Sequence, residues 1–503
     1  MKSESKGEGT YNVVVIGAGT AGLVTAAGTA GLGGRVAVIE RNKMGGDCLN
    51  FGCVPSKALI SSARLIRRIR DAEKWGLDRQ EPRFAFEKIF ERMRNCRAQI
   101  APNDSQERFE SLGVDVFRGQ AKFLSPNEVQ VGDKILRAKN FVIATGSRAT
   151  IPKIGGIETV KFFTNETIFD ELSAKPESMI ILGGGPIGCE LAQTFCRLGV
   201  HVTILQRGDQ LLPKEDRDVA HFLERCLAGE GVRIVKNADV HSAAASDAGK
   251  VALQLLDRRP QNDRDSRSVS ESDHPAEVTF FADALLIAIG RTPNLESLDL
   301  KAAGVEFGEK GIRVNDLLQT SQSHIYAVGD VVGPFQFTHM ADAQARVVVR
   351  NILVPFQFLR LKMDYSVVPW CTYVDPEIAT VGINESAAKK QNTEYDLIVQ
   401  ELRDVDRAVV ESESAGFAKI LLAKGRDRIL GATLVCDHAG DLLPEFVLAM
   451  RHRIGLGGIA STIHVYPTFA ELARKVGDKY NKTRLTPTAQ KIFRWLYRRG
   501  RRR

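Results

Sequence analysis

The sequence predicts an α/β protein built around two Rossmann-like dinucleotide-binding domains, and two observations carry that prediction. A short apolar strand, Tyr11 to Ile16, runs into Gly17-Ala18-Gly19-Thr20-Ala21-Gly22, then a small-residue helix, then a second strand from Arg35 to Ile39 that ends in Glu40. The pattern recurs at Met179 to Leu182, followed by Gly183-Gly184-Gly185-Pro186-Ile187-Gly188, a helix and the strand His201 to Leu205. In each, the glycines permit a tight turn, close approach of backbone to a pyrophosphate, and packing of helix on strand.

The first fingerprint has strand, helix and acid in sequence. Gly17, Gly19 and Gly22 are therefore candidate cofactor-binding residues, and Glu40 is the expected acceptor for ribose hydroxyls. In the second, Gly183, Gly185 and Gly188 take the glycine positions, but the acid position holds Gln206, followed by Arg207. No carboxylate stands there to repel a 2′-phosphate, and Arg207 can pair with one. This favours NADPH over NADH. The bland alternative is that Arg207 is a solvated loop charge and either nucleotide binds.

Between the fingerprints lies Gly45-Gly46-Asp47-Cys48-Leu49-Asn50-Phe51-Gly52-Cys53-Val54-Pro55-Ser56-Lys57. Four residues separate Cys48 from Cys53, enough for a tight loop to close them into a disulfide of normal geometry. Val54 to Lys57 reads as the start of a helix, with proline tolerated in the first turn. A helix N-terminus favours a nearby thiolate, and Lys57 shares a helix face with Cys53. A stapling disulfide or a metal pair is the competing reading; a metal site would need further ligands nearby. Two dinucleotide sites with a dithiol between them suggest a relay, from a nicotinamide to a flavin to the disulfide.

Composition agrees with a multi-domain globular protein. The chain has 503 residues, too many for one core, with 44% hydrophobic and 26% charged residues. Eight scattered cysteines do not make a secreted disulfide framework. The first ten residues are polar, without the apolar centre of a signal peptide, and no apolar run is long enough to span a membrane, so the expected location is cytoplasmic. The net charge of +8 is a tail property: Lys491, Arg494, Arg498, Arg499, Arg501, Arg502 and Arg503 carry seven positive charges without an acid, and removing them from +8 leaves about +1.

Further motifs identify a resemblance. Val142-Ile143-Ala144-Thr145-Gly146-Ser147, Leu286 to Asn294 (with Gly290 and Arg291), and the run from Thr320 to Asp330 ending Ile-Tyr-Ala-Val-Gly-Asp match, with the cysteine run and both fingerprints, the class I pyridine nucleotide-disulfide oxidoreductases. That group includes dihydrolipoamide dehydrogenase, glutathione reductase and mercuric reductase, and the resemblance runs from about Tyr11 to Glu471. It implies FAD in the first site and NADPH, or NADH, in the second. It implies an FAD-binding domain over residues 1–155 and 291–355, with Thr145, Gly146, Gly290, Arg291, Gly329 and Asp330 at the cofactor. A nucleotide domain over 156–290 and a C-terminal α+β dimerisation domain over 365–480 complete a homodimer. It further implies that Cys48 is the interchange thiol and Cys53 the thiol nearest the flavin, and that Lys57 pairs with Glu190.

One position departs from the family pattern. The expected base is a histidine directly before Pro-Thr; here the run is Ile463-His464-Val465-Tyr466-Pro467-Thr468-Phe469-Ala470-Glu471. Pro467, Thr468 and Glu471 match, Tyr466 holds the base position, and His464 lies two residues earlier. A tyrosine with a pKa of about 10 is a poor base at neutral pH. A tyrosine there resembles the mercuric reductase branch, whose soft metal ion held between thiolates needs no proton removed. The vicinal C-terminal cysteine pair typical of those enzymes is missing, since no cysteine follows Cys436. The expected electron acceptor is a metal ion such as Hg(II) or a small disulfide; the alternatives are a dithiol–disulfide enzyme of the lipoamide or glutathione type, or a membrane-surface redox sensor of low turnover. Residues 257–277 read as a polar hairpin loop. Residues 488–503 read as a basic amphipathic tail, either lying on a membrane or packed on the dimerisation domain. No recognition motif for nucleic acid is present, and none is expected as partner.

Overall fold

The computed structural model describes residues 9–246, 248–256 and 277–500. Of the polar stretch expected to form a hairpin loop at 257–277, residues 257–276 lie outside the described residues and Glu277 opens a strand, and Arg501 to Arg503 of the tail also lie outside them. The chain divides into two compact units, one of residues 1–67, 82–211 and 224–364, the other of residues 68–81, 212–223 and 365–503.

The first unit holds the two nucleotide-binding sheets. In the larger, the strands Thr10–Ile16 and Val36–Glu40 run parallel, with Val13 opposite Val36, and Val114–Arg118 and Lys134–Ile143 flank them. An antiparallel pair, Ala121–Ser125 and Glu128–Val131, and the strand Ile325–Ala327 bring this sheet to seven strands. Val13, Val14 and Val15 are all fully buried: Val13 and Val15 pack under helix residues such as Leu23, Ala26 and Val348, and Val14 packs under Phe123, Val129, Leu298 and Leu300, so neither face of the sheet is solvated. The second sheet is four parallel strands in the order Arg233–Val235, His201–Leu205, Ser178–Leu182, Ala284–Ile287. A three-stranded antiparallel sheet joins Asp239–Ala245, Val251–Leu256 and Glu277–Ala282.

The second unit centres on a five-stranded antiparallel sheet ordered Pro369–Thr372, Glu377–Gly382, Ile429–Cys436, Phe417–Ala423, Tyr395–Glu401. Its apolar residues pack with Leu443, Phe446, Leu472 and Val476 from the helices Ala439–Arg451 and Glu471–Thr483. Lys419 sits within this sheet at 1% exposure, bonded to Asp216, Asp218 and Glu385 at 2.6–3.0 Å. Burial alone would depress its pKa, but the carboxylates outweigh it and push it up. A buried ammonium without such partners would be strongly destabilising, so this cluster fixes residues 212–223 to the sheet.

Candidate active site

The dithiol is built on the first fingerprint turn. Cys48 lies in the short helix Gly46–Asn50, and Cys53 opens the helix Cys53–Arg70. The Gly45 amide donates to the Ala18 carbonyl at 2.9 Å. Gly46 has φ +59°, and a Cβ there would stand 2.6 Å from Gly19 Cα. Only glycine lets the cysteine loop close onto the turn this tightly. Asn50 then ties the loop by donating to the Met44 and Gly46 carbonyls.

Thr338 Oγ1 lies 3.4 Å from Cys53 Sγ. The Cys48 hydrogen bond, then Thr338 and the Lys57 charge, outweigh burial and bring Cys53 down to about 6. Its proton-sharing partner moves the other way: the same hydrogen bond and burial push Cys48 up. These opposite shifts favour the thiolate at Cys53 and the protonated thiol at Cys48. Thr338 is the first residue of the helix Thr338–Leu353, so two helix N-termini meet at this sulfur. Lys57 Nζ lies 2.9 Å from Glu190 Oε2, and Glu190 is buried on the helix Pro186–Arg197.

The fingerprints supply phosphate cradles of the same construction. Gly17 has φ +106°, and a Cβ on it would lie 2.4 Å from the Ala144 carbonyl oxygen; one on Gly22 would lie 1.8 Å from the Gly17 oxygen. Gly183 and Gly188 repeat both contacts. By contrast, Gly19 has nothing closer than 3.8 Å and Gly185 nothing within 4 Å, so a side chain there would fill the approach to the backbone. The helices that follow, Thr20–Gly31 and Pro186–Arg197, begin without a side-chain cap and without an acid in the first turn. Their first N–H groups are left for an anion. These residues fit the pyrophosphates of FAD and of a nicotinamide dinucleotide.

The acid positions show the same symmetry. Glu40 accepts from the Ala18 amide at 2.6 Å and the Asn42 amide at 2.7 Å. Gln206 Oε1 accepts from the Gly184 amide at 2.9 Å. Arg207 is exposed and makes no ion pair with any described residue. Around the flavin motifs, Ser147 donates to Asp330 at 2.6 Å, and Arg291 lies 3.5 Å from Asp330 and 3.3 Å from Asp47. Burial raises Asp330 above the usual carboxylate range, with Arg291 and Ser147 opposing. Thr145 and Asn294 exchange side-chain and backbone bonds across the two domain-linking motifs, Asn294 also bonds the Gly146 carbonyl, and Gly290 accepts from the Thr150 amide. The Gly329 amide donates to Gln344 at 2.6 Å.

Within the second unit, the three C-terminal candidates do not converge. Tyr466 is 66% exposed and its hydroxyl donates to Asp406 at 2.9 Å, which raises its pKa. His464 is turned inward, with Nδ1 on the Thr462 carbonyl and Nε2 on Glu445, both at 2.9 Å. Glu471 is buried; Arg474 bonds its Oε1 at 2.7 Å, and its Oε2 has no hydrogen-bond partner among the described residues. Cys189 is buried on the nucleotide-domain helix, Cys196 is partly buried there, and Cys371 is partly buried at the edge of the second unit's core.

Sequence reasoning missed Thr338, Ser147 as an Asp330 partner, and Gln344. Thr338 carried a usable signal, a Thr-His pair opening an amphipathic helix just after the second flavin motif.

A reactive dithiol between two dinucleotide cradles defines a flavin- and nicotinamide-dependent disulfide oxidoreductase. Residues 11–345 match the pyridine nucleotide-disulphide oxidoreductase family and residues 368–476 match its dimerisation domain, so the chain belongs to that family and uses FAD with NAD(P)H as electron donor. It is 33% identical to the mercuric reductase of Lysinibacillus sphaericus over 92% of this chain and 81% of that one. It is 32% identical to the dihydrolipoyl dehydrogenase of Bacillus subtilis (strain 168), over 92% and 96%. Among solved structures, the Cu(II) complex of the HOCl-induced flavoprotein disulfide reductase RclA from Escherichia coli aligns with a TM-score of 0.80 at 27% identity, over 93% and 99%. LpdA from Mycobacterium tuberculosis aligns at 0.81 with 26% identity, over 93% and 99%. Among the described residues, no helix is long and apolar enough to cross a membrane.

Proposed function

We propose that this enzyme, as a homodimer, takes electrons from NADPH and delivers them through the Cys48–Cys53 pair to a thiophilic metal ion, with Hg(II) as the first candidate. FAD, which the first fingerprint, Glu40 and Asp330 would hold, would supply two-electron transfer between the nicotinamide and the disulfide. On reduction, the S–S bond breaks, the negative charge settles on Cys53 Sγ and one proton on Cys48 Sγ. Thr338 and Lys57 hold that charge, and Glu190 holds Lys57. A metal ion entering between the sulfurs displaces the Cys48 proton to solvent and accepts the two electrons as the S–S bond re-forms. The balance is NADPH plus M(II) giving NADP⁺, M(0) and one proton.

One observation carries this reading: neither candidate base is disposed to take a proton from an incoming dithiol. Tyr466 donates to Asp406, which keeps it protonated, and both ring nitrogens of His464 are engaged. A metal ion requires no such base. Cu(II), seen with RclA, is a second thiophilic ion for the same pair; as a one-electron acceptor it would be consumed two per NADPH. The tail has no part in this chemistry; a membrane contact through it would set where the enzyme works, not what it reduces.

The test is anaerobic NADPH oxidation with Hg(II), Cu(II), oxidised lipoamide and glutathione disulfide. Metal-dependent turnover that vanishes in Cys48→Ser and Cys53→Ser is expected, with Tyr466→His raising only the lipoamide or glutathione rate. Faster turnover of a disulfide than of either metal by the unaltered enzyme would overturn the assignment.

A further inference from the structure

The chain ends in a helix, Pro487–Gly500, that begins cleanly. Thr486 caps it, its hydroxyl accepting from the Ala489 amide at 3.2 Å and its carbonyl from the Gln490 amide at 2.9 Å. Pro487 occupies the first turn, where its missing N–H costs nothing. Successive residues turn by about 100°, so Ile492, Phe493 and Leu496 share one face, flanked by Trp495 and Tyr497. Lys491, Arg494 and Arg498 share the opposite face. Ile492, Phe493 and Leu496 are 49–53% exposed, so about half of each stays open to solvent.

We infer that this helix docks the enzyme on an anionic lipid bilayer, apolar face in the acyl boundary and cations at the headgroups. Charge selects the occupant. From Lys479 to Arg503 the chain carries cations and no acid. The chain without residues 491–503 is close to neutral, at about +1, so a second copy has no net negative charge to attract the helix. Nucleic acid would satisfy the arginines and leave Phe493, Trp495 and Leu496 in water. A bilayer with acidic lipids satisfies both faces at once, as interfacial amphipathic helices do. Each cation near such a surface adds roughly fivefold to partitioning (about 1 kcal/mol). The inference does not depend on which acceptor the dithiol reduces, because binding is read without turnover.

The experiment is flotation of the full-length FAD-loaded enzyme with phosphatidylcholine vesicles, with and without phosphatidylglycerol, and with duplex DNA as competitor. Flotation only with phosphatidylglycerol is expected, unaffected by DNA. It should fall at least tenfold in Arg494→Glu/Arg498→Glu and at least tenfold in Phe493→Ser/Leu496→Ser, with NADPH oxidation unchanged in both. No flotation, equal flotation with neutral vesicles, undiminished flotation of the serine variant, or displacement by DNA would each overturn it.

Discussion

The pH at which Cys53 ionises tests the dithiol directly. Cys53 sits at about 6, against about 8.5 for a free thiol. At pH 7 that makes it about nine-tenths thiolate rather than about 3%, roughly a thirtyfold gain. A less basic thiolate is also a weaker nucleophile, with a Brønsted slope of about 0.4–0.5. Over about 2.5 pH units that returns a factor of roughly 10–20, so the alkylation rate at pH 7 rises only about two- to threefold. The midpoint of the pH profile is therefore the quantity to measure, and it does not depend on access. The first cause of the low value is the hydrogen bond from Cys48. A hydrogen bond to a charged group contributes about 1.5–3 kcal/mol, or about one to two pH units at 1.36 kcal/mol each. Cys48→Ser keeps a donor, so the Cys53 midpoint should stay within about one unit of its starting value. Cys48→Ala removes the donor and should raise the midpoint by about one to two units. Iodoacetamide labelling across pH, resolved by peptide mass spectrometry, reads both. If the serine and alanine variants share a midpoint near that of a free thiol, hydrogen bonding is not what holds the thiolate.

Asp330 titrates in the opposite sense. Its native pKa is raised by burial, so the stability it allows is fully present below its unfolded pKa of about 3.9 and is lost as pH rises through the native value. Asp330→Asn should therefore gain on the unaltered apoprotein in urea midpoints between pH 4 and 7 while binding FAD more weakly; a gap that shrinks over that range would contradict the burial argument. Gly22→Ala drives a Cβ into the Gly17 carbonyl, a backbone clash that rotamer changes cannot relieve, so a loss of about 3 kcal/mol or more in chemical unfolding and a colourless purified protein are expected. Arg207→Glu should raise KM for NADPH by about 10–30-fold, the loss of roughly 1.5–2 kcal/mol of charge-assisted bonding, and leave KM for NADH nearly unchanged; equal effects on the two would remove Arg207 from phosphate recognition.

What the sequence made legible is what short spacing encodes. Both fingerprint strands begin within one residue of their expected starts, at Thr10 and Ser178, and the dithiol helix begins at Cys53, one residue early. Each of these is a local contrast between apolar runs, glycine turns and a helix start. The contacts that tune the site are not local. Thr338 is 285 residues from Cys53, Ser147 is 183 from Asp330, and Tyr466 finds Asp406 across 60. No spacing rule connects such pairs; they follow from which strand edges and helix ends the sheets bring together. The Lys57–Glu190 pair, equally distant at 133 residues, was anticipated only because the family resemblance supplied it. The C-terminal α+β domain was likewise implied by resemblance, but its five-stranded sheet was not anticipated, since its spatial order differs from its chain order.

The two fingerprints show how one backbone contact can be kept while its outward chemistry is changed. Ala18 and Gly184 occupy the same place in their turns, and each donates its amide to the side chain 22 residues later. That bond fixes the Gln206 amide: with Oε1 engaged by an N–H, Nε2 must point away from the turn. Glu40 has both oxygens on backbone amides and adds a negative charge, which suits hydroxyl donors and repels phosphate. Gln206 turns a donor outward, beside an exposed guanidinium. The glutamine thus preserves the fold of the turn, which needs only an acceptor, and removes the charge that would exclude a 2′-phosphate. Arg207 alone could be read as an ordinary surface charge. A donor and a cation placed where the sister site presents a carboxylate support the proposed preference for NADPH.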